Sequence, residues 1–104
     1  MSETDLFRAL SDPTRRAVFE RLAEAELSVS ALKAGFEISQ PAISQHLSVL
    51  KQAGLVSERR EGRNVHYRAA PEGLTPLIDW VGRYEKFWPG RLERLKTLIA
   101  EMDQ

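Results

Sequence analysis

The sequence predicts a mainly α fold carrying one small β-hairpin, about five helices and two short strands in a single domain spanning 1–104. Three observations carry that prediction. Apolar residues recur at three- and four-residue intervals through the first half of the chain and again through its tail. Only between Leu55 and Arg68 does the pattern change to alternation, the period of strands. Helix starts and stops, at Asp12-Pro13, Ser39-Gln40-Pro41, Gly54 and Thr75-Pro76, divide the periodic stretches into separate elements.

Leu6, Phe7 and Leu10 give a short amphipathic first helix. Ser11 or Asp12 caps the second, and Pro13 sits in its first turn, where a missing N–H costs little. Val18, Phe19 and Leu22 are its buried stripe. Ser28 caps a short third helix carrying Val29, Leu32 and Phe36, with Gly35 near its end and Glu37-Ile38 as a tight connection onward. Ser39 then caps a fourth helix, Pro41 lies in its first turn, and Gly54 supplies the left-handed residue that stops it. Ala42, Ile43, Leu47 and Leu50 pin that helix to a core. Residues 28–54 are thus two short helices joined by a few residues, a helix-turn-helix.

Residues 55–69 read as a hairpin that turns at Glu61-Gly62-Arg63, with glycine available for positive φ. Val56, Val65 and Tyr67 face inward, and Arg59, Arg60, Arg63 and Arg68 lie along the outside and at the tip. A hairpin directly after such a helix is a wing, which makes the whole a winged helix-turn-helix. Pro71-Glu72-Gly73 separates the wing from a helical tail, with Thr75 as cap and Pro76 in the first turn. Leu77, Trp80, Val81, Tyr84, Phe87 and Trp88 form one apolar stripe, and Leu92, Leu95, Leu98, Ile99 and Met102 resume it. Pro89 is expected to kink or break the helix near residues 86–88.

The function is most legible on the fourth helix. Its polar face shows Gln40, Ser44, Gln45, Ser48 and Lys51, with His46 on the flank and no carboxylate among them. Short amide and hydroxyl side chains suit the reading of base edges in a major groove, and Pro41 can meet a thymine methyl. Taken singly, Ser44 or Gln45 is explained as well by solvent exposure; the acid-free face as a whole is not. The expected DNA-binding set is Gln40, Pro41, Ser44, Gln45, His46 and Lys51 on the helix, with Arg59, Arg60 and Arg63 of the wing on phosphates or a minor groove. His46 either bonds a phosphate or merely sits at the helix edge. Arg15 and Arg16 either touch the DNA backbone or make internal salt bridges.

Charge supports a local interface. The formal net charge is zero, yet residues 39–68 carry five basic and two acidic side chains, while the flanks are slightly acidic. So small a patch binds DNA weakly in one copy, and a homodimer is expected. The tail supplies more large apolar side chains than a small monomer needs. Leu6, Phe7 and Leu10 (segment 1–10) with Leu77, Trp80, Tyr84, Phe87, Trp88, Leu92 and Leu95 (segment 74–104) are the expected dimerisation residues. A small-molecule pocket lined by Trp80, Tyr84 and Trp88 is the alternative use of the same aromatics.

Composition excludes several classes. Without cysteine there are no disulfides, thiolate metal sites or cysteine nucleophiles. No apolar run reaches membrane-spanning length, so no membrane partner is expected. The acidic start Met1-Ser2-Glu3-Thr4-Asp5 lacks the features of a signal peptide, which makes the cytoplasm the expected location. No paired histidines, phosphate-cradling glycine loop or carboxylate dyad suggests an enzyme, and no cofactor is implied.

Taken together, these residues resemble the ArsR family of bacterial winged-helix repressors. The resemblance is carried by Leu10-Ser11-Asp12-Pro13-Thr14-Arg15-Arg16, by Ser39 through Gly54 with Leu55-Val56, and by Glu61-Gly62-Arg63 with Tyr67-Arg68. The tail residues Asp79-Trp80, Tyr84, Phe87-Trp88 and Arg91-Leu92 are similar to a non-metal, autorepressor-like subgroup. The resemblance implies a homodimer of five-helix winged subunits, joined through the first and last helices, on an imperfect inverted repeat of double-stranded DNA. It also marks departures. Metal-sensing relatives carry a Glu-Leu-Cys-Val-Cys element, whereas Glu26-Leu27-Ser28-Val29-Ser30 places serine at both thiolate positions. The family's other site uses Asp and His on the final helix, and no histidine follows His66 here. Neither familiar metal site is therefore expected, and an effector, if there is one, is not named by the sequence. Two further readings stay open: a winged helix used for protein–protein interaction, and a repressor that responds to an apolar small molecule at the dimer seam.

Overall fold

Asp12, Ser28 and Ser39 divide the first half of the chain into helices, as their types predict. The computed structural model describes residues 3–87 and 91–102, the side chains of 91 and 92 excepted. Helix α1 (Glu3–Leu10) is followed by α2 (Pro13–Glu24), whose first amides, on Thr14 and Arg15, donate to the Asp12 carboxylate at 2.8 and 3.0 Å. After a two-residue strand β1 (Leu27–Ser28), the Ser28 hydroxyl accepts from Ala31 N–H and starts α3 (Val29–Lys33). Ser39 accepts from Ala42 N–H at the head of α4 (Gln40–Gln52), with Pro41 in the first turn.

At the other end of α4, Gly54 takes φ 78°, Leu55 N–H donates to Leu50 C=O and Gly54 N–H to Lys51 C=O. That pair of bonds is a Schellman stop, and it turns the chain directly into the wing. Strand β2 (Val56–Glu61) pairs antiparallel with β3 (Asn64–Ala69) from Val56↔Ala69 to Glu61↔Asn64. Between the strands Gly62 alone adopts positive φ, at 63°, the II′ pattern that matches the strand twist. A 3-10 turn (Pro71–Leu74) leads into α5 (Thr75–Gly82), and a second one (Glu85–Phe87) precedes α6 (Arg91–Met102).

Among the described residues the architecture is mainly helical, with six α-helices and a small antiparallel sheet. It departs from the sequence reading in five places, each with a physical cause. The sheet has three strands in the order β1-β3-β2, because Leu27 and Ser28 pair with Tyr67 and His66; two residues are too few to show alternation. Helix α3 stops at Lys33, where Gly35 and Phe36 donate back to Leu32 and Lys33 in tight three-residue turns, so the connection to α4 is longer than Glu37-Ile38. Thr75 is the first residue of α5 rather than its cap, and its hydroxyl donates to Glu72 C=O. Helix α5 ends at Gly82, earlier than Pro89 alone requires; Arg83 and Tyr84 donate to Trp80 and Val81 in a tightened last turn. Finally, Leu6 is 1% exposed and fills the core, so it is not on the free face of α1.

The core gathers one stripe from each early element: Leu6 and Ala9 of α1, Val18 and Leu22 of α2, Leu32 of α3, and Ile43, Leu47 and Leu50 of α4, closed by Ala53, Leu55 and Val56. Fully burying a side chain of this size contributes about 1.5–3 kcal/mol. The stripe holds α4 rigidly with its polar face outward.

Gly73 shows how tightly the wing base is packed. A Cβ there would overlap the Gly54 carbonyl oxygen, on the segment where Ala70 N–H donates to Leu55 C=O at 2.7 Å. Gly73→Ala is therefore expected to cost about 1–3 kcal/mol by overpacking. Thermal unfolding checks this, and an unchanged Tm would show that the contact yields freely.

Candidate nucleic-acid interface

Burial sorts the faces of α4 cleanly. Ile43, Leu47 and Leu50 are sealed against α1, α2 and α3, and Ala42 and Val49 are half-buried. Gln40, Pro41, Ser44, Gln45, Ser48 and Lys51 are exposed. No Asp or Glu occurs on the helix. The result is a rigid rod presenting amides, hydroxyls and one ammonium to solvent.

His46 lies half-buried at the edge of that face, and its Nδ1 is 3.5 Å from the Arg15 guanidinium. Arg15 is otherwise spent on α1: its Nε donates to Ala9 C=O at 2.8 Å and its Nη2 to Arg8 C=O at 3.1 Å. Arg16 donates to Leu10 C=O at 2.6 Å and the Ser11 hydroxyl to Arg8 C=O at 2.7 Å. Asp12-Pro13-Thr14-Arg15-Arg16 is thus a corner in which aspartate caps the start of α2 while two arginines cap the end of α1. The backbone N–H of Arg15, aided by that of Thr14, holds the Asp12 carboxyl below the usual carboxylate range. Among the described residues neither arginine makes an internal salt bridge; both bond carbonyls, and through His46 the corner braces α4.

The wing brings its cations together unequally. Strand alternation places Ser57, Arg59 and Glu61 on one face and Val56, Glu58 and Arg60 on the other, the face that carries Val65, Tyr67 and Ala69. Lys51 Nζ donates to Glu58 Oε1 at 2.7 Å, which ties the end of α4 to β2 and holds the Glu58 carboxyl below its ordinary value. Burial and the nearby Glu58 push the Tyr67 phenol up. Arg59 is held by Glu26 at 2.8 Å and Glu61 at 3.0 Å; the second pair lowers Glu61 and, with the first, raises Arg59. Arg68 donates to the Ser57 hydroxyl at 3.2 Å. Among the described residues no carboxylate lies within 4.0 Å of Arg60 or Arg63, so these two present net positive charge at the outer end of the wing.

The expected dimerisation residues fall into three groups. Phe7, Trp80, Tyr84 and Phe87 form an exposed aromatic ladder, with ring centroids 5.6, 5.1 and 6.3 Å apart in turn. Arg83 Nη2 donates to Glu3 Oε1 at 2.7 Å, fixing α5 beside α1. Leu10 and Leu77 are half-buried against the core. On α6, Leu95, Leu98, Ile99 and Met102 are all exposed, Met102 by 76%. Trp88 and the Leu92 side chain lie outside the described residues.

A family model described as a helix-turn-helix domain matches residues 10–59, from the α1–α2 corner through α4 into β2. A helix-turn-helix-type transcriptional regulator of Mycobacterium tuberculosis is 43% identical over 93 residues, 89% of this chain and 84% of that protein. The arsenical resistance operon repressor of Escherichia coli is 32% identical over 99 residues, 93% and 81% of the two chains. The structure of an ArsR-like transcriptional regulator from Rhodococcus sp. RHA1 superposes with a TM-score of 0.76 at 33% identity, covering 94% of this chain and 90% of that one. The chain belongs to the ArsR family. It is a DNA-binding transcriptional repressor by family, and its relatives are transcriptional regulators rather than enzymes.

Three features of this ArsR-family chain escaped the sequence reading. Arg15 and Arg16 have no local signal that separates a carbonyl cap from a phosphate contact. Glu26 meets Arg59 from 33 residues away, and that distance hides the pair. The partner of Lys51 is Glu58, seven residues on and across the Schellman stop, beyond any helical spacing. No helix among the described residues is long and apolar enough to cross a membrane.

Proposed function

We propose that the protein acts as a homodimer on an inverted-repeat operator, laying α4 of each subunit in a major groove and the wing on the flanking backbone. The observation that carries this reading is α4 itself, an exposed acid-free row on a helix whose opposite side is locked into the core. Groups carried on a rigid element are placed more precisely than groups on a loop. Gln40 and Gln45 each bond adenine through two atoms, Ser44 adapts to either strand, and Pro41 meets a thymine methyl. Arg60 and Arg63 hold phosphates or enter a minor groove. Lys51 and Arg59 reach the backbone only by exchanging carboxylates for phosphate. His46, braced by Arg15, serves chiefly to position the helix.

Dimerisation covers the aromatic ladder and the α6 stripe. Each is exposed in the subunit, and exposed large apolar side chains clustered in this way mark an interface. Leu6 contributes by holding α1, not by touching the partner. Pairing two subunits also doubles the modest positive patch. Repression then follows from occupancy, since a dimer across two grooves excludes other proteins from the promoter. The cytoplasm, where that promoter lies, is the place of action.

The absence of cysteine makes release through thiolate-bound metal chemically unavailable. Ser28, at the first thiolate position, spends its oxygen on the α3 cap. We infer a repressor outside the metal-sensing subgroup, governed by its own concentration or by a ligand of other chemistry. Native mass spectrometry of the protein with DNA from its own upstream region tests the assembly. Two chains per duplex are expected, and one chain per duplex would overturn the homodimer.

A further inference from the structure

Arg59 is singled out among the wing cations by its two carboxylates. Its Nε donates to Glu26 Oε1 at 2.8 Å and its Nη1 to Glu61 Oε2 at 3.0 Å. The arrangement is set by register. Arg59 lies opposite His66 on β3, and His66 lies opposite Ser28 on β1, so Arg59 and Ser28 occupy one row across the sheet. Two residues on from Arg59, strand alternation brings Glu61 to the same face, and Glu26, just before β1, meets the guanidinium from across the sheet. The guanidinium reaches over β3 and closes on both.

A guanidinium fork accepts carboxylate and phosphate with the same two-bond geometry. Two carboxylates around one guanidinium leave a local balance of one negative charge. A phosphate that takes their place gains a bond without net neutralisation, and so releases no counterion from the DNA. Counterion release supplies essentially all of the affinity for non-specific sequence.

We propose that Glu26 and Glu61 form a carboxylate clamp that occupies Arg59 in place of DNA phosphate and thereby lowers the protein's affinity for non-operator DNA. The clamp rests on the reading above that the wing lies against the DNA backbone. Exposed ion pairs of this kind are individually weak, so the clamp tunes binding without blocking it. Glu26 belongs to the Glu26-Leu27-Ser28-Val29-Ser30 frame, which gives that segment a role in the wing through the clamp and the β1–β3 pairing.

The test uses the full chain and a random-sequence duplex, with affinity measured by fluorescence anisotropy across a salt series. Glu26→Gln with Glu61→Gln should bind more tightly at low salt. Its plot of log K against log salt should be steeper than the parent's by about 0.9 for each subunit on the DNA. Adding Arg59→Gln to that pair should return the slope to the parent's value. An unchanged slope in the paired variant overturns the clamp. So does a steeper slope that persists without Arg59, which would be a general charge effect. Arg63→Gln, run alongside, should flatten the slope; if it does not, the wing is not on the backbone and the clamp falls with that reading. If Arg63→Gln flattens the slope while the paired variant does not steepen it, the clamp alone fails.

Discussion

Gln45→Ala is expected to abolish most of the preference for operator over random DNA, while Arg63→Ala weakens binding to both alike. Gln45 stands exposed on the acid-free face of α4, one residue before the braced His46 and two before the buried Leu47. The helix therefore fixes the point from which the amide reaches outward. A bidentate amide–adenine pair discriminates by about 1–3 kcal/mol, a factor of about 5 to 150 in each half-site. Arg63 sits beside Gly62 in the hairpin turn, without an ion-pair partner among the described residues. Its loss removes a phosphate contact of any sequence and flattens the salt dependence by about 0.9 per subunit. Competition titrations with operator and random duplexes separate the two effects. Unchanged discrimination in Gln45→Ala would move base reading to Gln40 or Ser44.

The second large effect belongs to α6. Leu95→Asp with Leu98→Asp is expected to give a folded monomer with little affinity for the operator. Both side chains are about half exposed in the subunit, and every described side chain from 93 to 102 is exposed, so the core does not depend on them. In a dimer, burying the remaining half of each would contribute about 1 kcal/mol per copy, and a carboxylate in its place adds a larger desolvation cost. The combined loss is large enough to dissociate a dimer at micromolar concentration. Sedimentation velocity reads the change directly, with circular dichroism to show that the helices persist. A variant that still sediments as a dimer would remove α6 from the interface and leave the Phe7–Trp80–Tyr84–Phe87 ladder to carry it.

What was legible in the sequence was local. Asp12, Ser28 and Ser39 cap helices because a short side-chain oxygen reaches an amide two or three residues on. Gly54 and Gly62 take positive φ where a stop and a tight turn need it. Ile43, Leu47 and Leu50 are buried because helical period alone fixes their common face. What escaped depends on distant pieces of chain meeting. The β1 strand exists only because β3 lies beside it. Arg15 and Arg16 bond carbonyls because α1 ends above them. Leu6 turns inward and Phe7 outward by the position of α2, which one short helix does not specify. Gly73 looked like part of a linker, yet it is required by close approach to Gly54. In the candidate site, the same limit hid which cations are already matched. Sequence counts Lys51 and Arg59 as free positive charge; the fold gives them Glu58, Glu26 and Glu61.

The central claim is sequence-specific recognition of an operator through α4. Its most direct test is a gel-shift titration of the purified protein against DNA from its own upstream region, with a salt series and random-sequence competitor. Tight, competitor-resistant binding that weakens steeply with salt is the predicted result. Binding that random DNA competes away as readily as the upstream fragment, repeated across a genome-wide selection of bound fragments, would contradict it.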